Sequence, residues 1–196
     1  MTRHAARASD ELSSRMAAAD LSRYPMWKFY LSRSPAPAWV PGVVAAFNAA
    51  APKIDSRSTH GVTSDAALGV LRPALLQLGF EVEASKVKAD KISRPVLFGE
   101  AGRPLVSYEV DGFHPTHRVV LEIEAGRGAA NNADYRDLIR ASLMVDAEYL
   151  ILAMMLEYTS GKATIRSYAQ TRDRIDAIYA SERLKLPLHG MLLVGY

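Results

Sequence analysis

The chain has 196 residues, 49% hydrophobic and 23% charged, which is enough for one well-buried core and fits a single globular domain. Its 24 Lys and Arg against 21 Asp and Glu leave a formal net charge of +3, which permits a basic surface without indicating nucleic acid. Cysteine is absent, so disulfides and thiolate metal ligands are excluded and any metal must be held by oxygen or imidazole. No apolar run approaches the roughly 18 residues of a membrane helix, and residues 1–24 lack the apolar stretch of a secretory signal. A soluble, cytoplasmic protein with no membrane partner is expected.

In chain order, residues 9–23 have helical composition but little apolar periodicity and read as a peripheral helix. Residues 24–41 carry Trp27, Phe29, Tyr30, Trp39 and four prolines, and read as an irregular wrap whose aromatics pack on the body. Residues 1–41 are therefore expected to be an N-terminal extension, and 42–196 a single α/β domain. A short helix is expected over 43–51. The next starts at Thr63 or Ser64, residues suited to capping, and places Leu68, Leu71, Leu75 and Leu78 on one stripe until Gly79 ends it, with Pro73 kinking or splitting it. Strands follow at 80–83 and 95–99. Between them Lys86, Lys88, Lys91 and Arg94 form a basic run that is either a solvated loop or a set of phosphate contacts.

Residues 105–126, LVSYEVDGFHPTHRVVLEIEAG, read as a two-stranded hairpin turning at His114–His117. Side chains two apart on a strand share a face, so Glu109 and Asp111 on one strand and Glu122 and Glu124 on the other form one acidic surface. The register that matches the apolar sides sets Asp111 near Glu122 and Glu109 near Glu124. Opposed like charges destabilise a sheet, so such crowding calls for a cation, raised carboxyl pKa values, or another strand geometry. A solvated sheet face is the simpler reading, but such a face normally mixes Lys with Glu, and this one has a single sign. His114 and His117 flank Pro115 and are expected to be exposed; two imidazoles alone do not complete a zinc site.

After the hairpin, Asn131 or Asn132 caps a helix running to about Val145. Leu138, Ile139, Ser142 and Val145 are expected inside, with Arg136 and Arg140 one turn apart outside, paired with Asp137 or turned to phosphate. A buried strand over 149–156 then lies parallel to 119–125 through a right-handed crossover. A strand at 163–168, a helix across 171–183 and a strand at 191–196 continue the α/β rhythm.

Val110-Asp111 followed by Glu122-Ile123-Glu124, placed on an acidic hairpin ahead of a crossover helix, resembles the PD-(D/E)xK nuclease superfamily in its ExE variant, the type of the BamHI and BglII restriction endonucleases. Val110 occupies the place of the motif's Pro and Glu124 the place of its Lys. The resemblance covers about 64–156. It implies a restriction-endonuclease-like α/β fold, with a mixed central sheet flanked by helices. It also implies a Mg2+-dependent endonuclease on DNA, with Mn2+ able to substitute, working as a homodimer.

By the same resemblance Asp111, Glu122 and Glu124 are catalytic and converge on one divalent ion. Asp111, Glu122 and the Ile123 carbonyl are the metal ligands, with Glu109 as an extra candidate, and Glu124 orients or deprotonates water. Lys86, Lys88, Lys91, Arg94, Arg127, Arg136 and Arg140 are candidate phosphate or DNA contacts, since guanidinium forks suit phosphate. Two competing readings remain. One is a catalytically inactive nuclease-fold DNA-binding or accessory module. The other is a protein-interaction partner that exposes the Trp27–Trp39 aromatics.

Overall fold

The computed structural model describes residues 23–30, 35–126, 131–161, 163–181 and 183–196. The peripheral helix expected over 9–23 and the candidate Arg127 lie outside them, apart from Arg23. In chain order the elements are β1 (Met26–Tyr30), α1 (Val40–Ile54), α2 (Ser64–Gln77), β2 (Glu81–Val82), β3 (Ile92–Phe98), β4 (Pro104–Val110), β5 (Gly112–His114) and β6 (Val119–Glu124). There follow α3 (Ala133–Leu143), β7 (Tyr149–Met154), β8 (Tyr158–Ser160), β9 (Ala163–Ile165), α4 (Ser167–Ser181) and β10 (Gly190–Gly195).

One six-stranded sheet in the order β1-β10-β7-β6-β5-β2 forms the middle of the molecule. β6, β7 and β10 are parallel, and β1, β5 and β2 run against their neighbours, so the sheet is mixed. The expected parallel pairing of the 119–125 and 149–156 segments is found, with Glu122 beside Leu152 and Glu124 beside Met154.

Alternation along the central strands divides the core in two. Val119, Leu121, Ile123, Ile151, Leu192 and Val194 pack under α1 and α2. Val120, Leu150, Leu152, Met154 and Leu193 pack under α3 and α4. Helices therefore cover both faces, which explains why β6 and β7 are apolar on both sides rather than alternating. The α2 N-terminus forms as its residues dictate, with the Thr63 side chain accepting from the Ala66 amide at 3.2 Å. At its far end Gly79 takes φ +91°, and the helix runs through Pro73 without being split.

Three expectations are corrected here. Residues 26–30 are not an irregular wrap but an edge strand on β10, so the sheet reaches into the segment assigned to the extension. Trp39 is buried and meets Phe29 and Tyr149 edge to face, while Trp27 is about half exposed. The acidic hairpin is not one pair of strands either. β4 pairs with β3 in a separate ribbon, and only the short β5 pairs with β6. Finally, His114 is buried rather than exposed. Its Nε2 lies 3.0 Å from the Leu78 carbonyl and its Nδ1 accepts from the His117 amide at 3.2 Å, which commits both ring nitrogens.

Candidate active site

Asp111 sits in the bend between β4 and β5, fixed from two sides. Its Oδ2 accepts from the Ile123 amide at 2.8 Å, and its carbonyl accepts from the Glu83 amide at 2.9 Å. Gly112 beside it lets β5 fit between β2 and β6. A Cβ there would meet the Glu81 carbonyl oxygen at 3.1 Å and the Leu121 side chain at 3.2 Å. One step beyond the Gly112↔Leu121 pair, the antiparallel register sets Asp111 across from Glu122. That part of the expected register is met. Glu109 belongs to a different pairing: it stands on the β3–β4 ribbon opposite Ser93, mostly exposed, 3.8 Å from Lys91.

Glu122 shares the α3 side of β6 with Val120 and is only 7% exposed. The solvated-face reading therefore fails at its central residue. Its Oε1 is buried with no hydrogen-bond partner. A buried polar atom without a partner costs about 1–3 kcal/mol, more if charged, so such an atom calls for an explanation. Burial, then the charges of Asp111 and Asp137, raise the Glu122 pKa well above the usual carboxylate range, against the pull of Arg140. Asp111 is pushed up to about 6, mainly by burial, with the Ile123 amide working the other way and the Glu83 and Asp137 charges adding to the rise.

Glu124, at the end of β6, is held by α3. Arg136 Nη2 donates to Glu124 Oε1 at 2.5 Å, while its Nε donates to Asp137 Oδ1 at 2.9 Å and its Nη2 to Oδ2 at 3.2 Å. The Glu124 pKa rises to about 7 through burial, then through its bond to Asp137 and that residue's charge, with Arg136 opposing. The Glu124 carbonyl accepts from the Tyr196 hydroxyl at 3.0 Å.

Two acids missed from sequence complete the surroundings. Asp137 is fully buried beneath Arg136 and Arg140, not on an exposed helix face. Glu83 follows β2, is also buried, and bonds Lys91 Nζ at 2.7 Å. Asp137 had a signal: Asp134, Asp137, Leu138 and Ala141 recur at helical spacing and form the inward stripe. Glu83 had none beyond its strand.

The basic candidates separate into groups. Arg136 and Arg140 reach the carboxylates, and Arg140 also donates to the Glu109 carbonyl and lies over Tyr108, 5.2 Å from the ring centre. Lys91 and Lys86 flank Glu83, Lys86 lying 2.6 Å from Asp65 and 3.8 Å from Glu83. Lys88 is exposed on the single turn between β2 and β3. Arg94 is set apart: it pairs with Asp146 and stacks on Phe113, 3.8 Å from the ring centre, and burial lowers its pKa.

Among the described residues, no three His, Asp or Glu side chains lie together closely enough to hold a metal ion. The expected convergence of Asp111, Glu122 and Glu124 on one ion is not seen, and Glu124 is instead engaged by Arg136 and Asp137. What remains suits a hard cation that takes few protein ligands. Mg2+ is commonly bound by one or two carboxylates, with water and phosphate oxygens completing its shell. Asp111 and Glu122, with its unpartnered oxygen, supply two such carboxylates at positions across from each other in the antiparallel register.

No protein-family model matches the chain, and no curated protein matches it in sequence. Among solved structures it is similar to the restriction endonuclease BglII, determined in complex with a DNA 16-mer. The match has a TM-score of 0.51 and 11% identity, covering 88% of this chain and 76% of that one. At that identity the likeness concerns the fold. The mixed sheet with helices on both faces is a restriction-endonuclease-like fold.

Proposed function

We propose that the chain is a Mg2+-dependent endonuclease of PD-(D/E)xK type, with an ExE motif, that hydrolyses DNA phosphodiester bonds as a homodimer. The observation that carries this reading is the buried, unpartnered oxygen of Glu122, a residue across from Asp111 in the strand register, on the fold that BglII also has. Asp111, Glu122 and the Ile123 carbonyl would hold the ion, with Mn2+ able to replace Mg2+. Bound there, the cation would neutralise phosphate charge and lower the pKa of the attacking water.

The remaining roles belong to the chain. Glu124, with a pKa near 7, is suited to accept the proton of the attacking water as its oxygen forms a bond to phosphorus and the bond to the leaving oxygen breaks. Arg136 blocks that task while it holds Glu124. A DNA phosphate is a competing partner for the same guanidinium, and taking it would free Glu124 where the substrate lies. Arg140, Lys86, Lys88 and Lys91 would serve as phosphate contacts.

The Glu124–Arg136 pair also suits the competing reading, a nuclease-fold DNA-binding module without chemistry. Thermal unfolding in rising Mg2+ or Mn2+ separates the two. A working site gives saturable stabilisation that Glu122→Ala abolishes. Equal melting of both proteins at all metal concentrations would favour the inactive module.

A further inference from the structure

Among the described residues, the partly buried arginines are paired with carboxylates, with one exception. Arg57, Arg94, Arg118, Arg140, Arg172 and Arg174 each have an Asp or Glu partner. Arg72, inside α2, has none: it is partly buried, its Nε is sealed from water without an acceptor, and no ion pair among the described residues includes it. Drawing a cation out of water without a partner is unfavourable, so such a group calls for a counter-charge from outside the chain.

Arg72 lines a cavity of about 120 Å3 between α2 and residues 83–86. Asp65, Gly69 and Arg72 follow at helical spacing and form the α2 wall, while Glu83 and Lys86 belong to the other. Both carboxylates of the cavity are already matched, since Lys86 Nζ lies 2.6 Å from Asp65 and Lys91 Nζ 2.7 Å from Glu83. The Ser85 hydroxyl, also on that wall, is committed to Asp90 at 2.6 Å and to the Val87 amide at 3.1 Å. Arg72 is therefore the charge of the cavity left without a counterpart. Gly69 keeps the space open. A Cβ there would meet nothing within 4 Å, so no neighbour demands a glycine, although glycine inside a helix weakens it.

The geometry points to an anion site: the cavity between α2 and residues 83–86 takes a phosphate group, held by the Arg72 guanidinium with Lys86 alongside. Its volume is well below the about 300–1,000 Å3 of a pocket for a cofactor or drug-sized ligand. An unmatched guanidinium selects an anion, and its planar fork suits phosphate oxygens. The phosphate belongs to a nucleic-acid strand or to a free phosphate compound, which present the same oxygens. Glu83 lines the cavity and donates its amide to the Asp111 carbonyl at 2.9 Å, so the cavity adjoins the segment that fixes Asp111. The site stands on Arg72 and its surroundings and does not require that the chain cleave DNA.

Nuclear magnetic resonance of the full chain without metal tests the inference at the Arg72 Nε–H signal, which burial protects from exchange and which Arg72→Lys identifies by its loss. Inorganic phosphate added at constant ionic strength is expected to move that signal saturably. Arg72→Gln is expected to weaken phosphate binding, read at the amides of residues 83–86, by about tenfold or more, the effect of one lost charge-assisted contact. Gly69→Met improves the helix and fills the cavity, so it should abolish the response without lowering the thermal melt. A shift that does not saturate, or binding that Arg72→Gln and Gly69→Met leave unchanged, overturns the inference. A DNA duplex added to the phosphate-saturated protein separates the two sources. Displacement of phosphate from Arg72 assigns the site to a nucleic-acid strand, and retention assigns it to a free phosphate compound. Cleavage assayed in parallel keeps the claims apart, since phosphate binding by a protein that never cuts DNA retains this site and sinks the nuclease.

Discussion

Asp111 shows how the site stores its chemistry as a cost to the metal-free fold. Its pKa rises from 3.8 to about 6 in the folded protein, so between those values the native state binds more protons than the unfolded chain. Stability from this group is therefore fully present below about pH 4 and lost as pH rises through 6. Asp111→Asn keeps an acceptor for the Ile123 amide and removes the titration. Without metal it is expected to be more stable than the wild type by about 1–3 kcal/mol at pH 7.5, with the gap closing towards pH 4. Urea unfolding at several pH values reads this directly, and a gap independent of pH would contradict it.

Arg136 gives a second residue-scale expectation. Arg136→Gln removes a positive charge beside the proposed ion site along with the partner of Glu124, so Mn2+ binding by the DNA-free protein, followed by electron paramagnetic resonance, should strengthen severalfold, while the loss of a phosphate contact lowers DNA turnover. Unchanged Mn2+ affinity would mean that no cation binds near this guanidinium.

Gly112 carries the corresponding argument for the elements, since the narrow gap it leaves between the Glu81 carbonyl and Leu121 joins β2 and β5 to the sheet. Gly112→Val should cost about 1–3 kcal/mol by overpacking, and should raise hydrogen exchange at the Glu83 and Ile123 amides, both bonded to Asp111. Faster exchange confined to α1 would contradict this. Most elements were legible because their signals are local: Thr63 and Gly79 bound α2, and the short spacing of β6, α3 and β7 forces a parallel crossover. Asp111 and Glu122 were legible as neighbours for the same reason.

Side assignments were harder to read. Taking Leu138, Ile139, Ser142 and Val145 as the inner stripe of α3 follows hydrophobicity. The observed stripe of Asp134, Asp137, Leu138 and Ala141 is rotated from it because charge pairing at the site outweighs apolar burial on this helix. Likewise the run 105–111 looks continuous with the hairpin. It leaves for β3 because the bend at Asp111 turns the chain, and pairing across distant segments is not written in local alternation. Glu83 belongs to the same class: only the fold brings it to Asp111.

Across the molecule, two helical layers clamp a mixed sheet whose parallel strand β6, beside β7, carries Glu122 and Glu124 at its carboxyl end. Ligands of open α/β sheets gather at the carboxyl ends of such strands, and Glu122 and Glu124 close β6 there. Among the described residues no helix is long and apolar enough to cross a membrane. At this end of the sheet the buried carboxylates are thus flanked by Arg136, Arg140, Lys86 and Lys91. Purified wild type and Glu122→Ala incubated with long genomic DNA, which holds any short recognition sequence many times over, test the central claim most directly. The account predicts discrete fragments from the wild type with Mg2+ or Mn2+, none in chelator and none from Glu122→Ala; intact DNA from the wild type with either ion, or equal cutting by the variant, would contradict it.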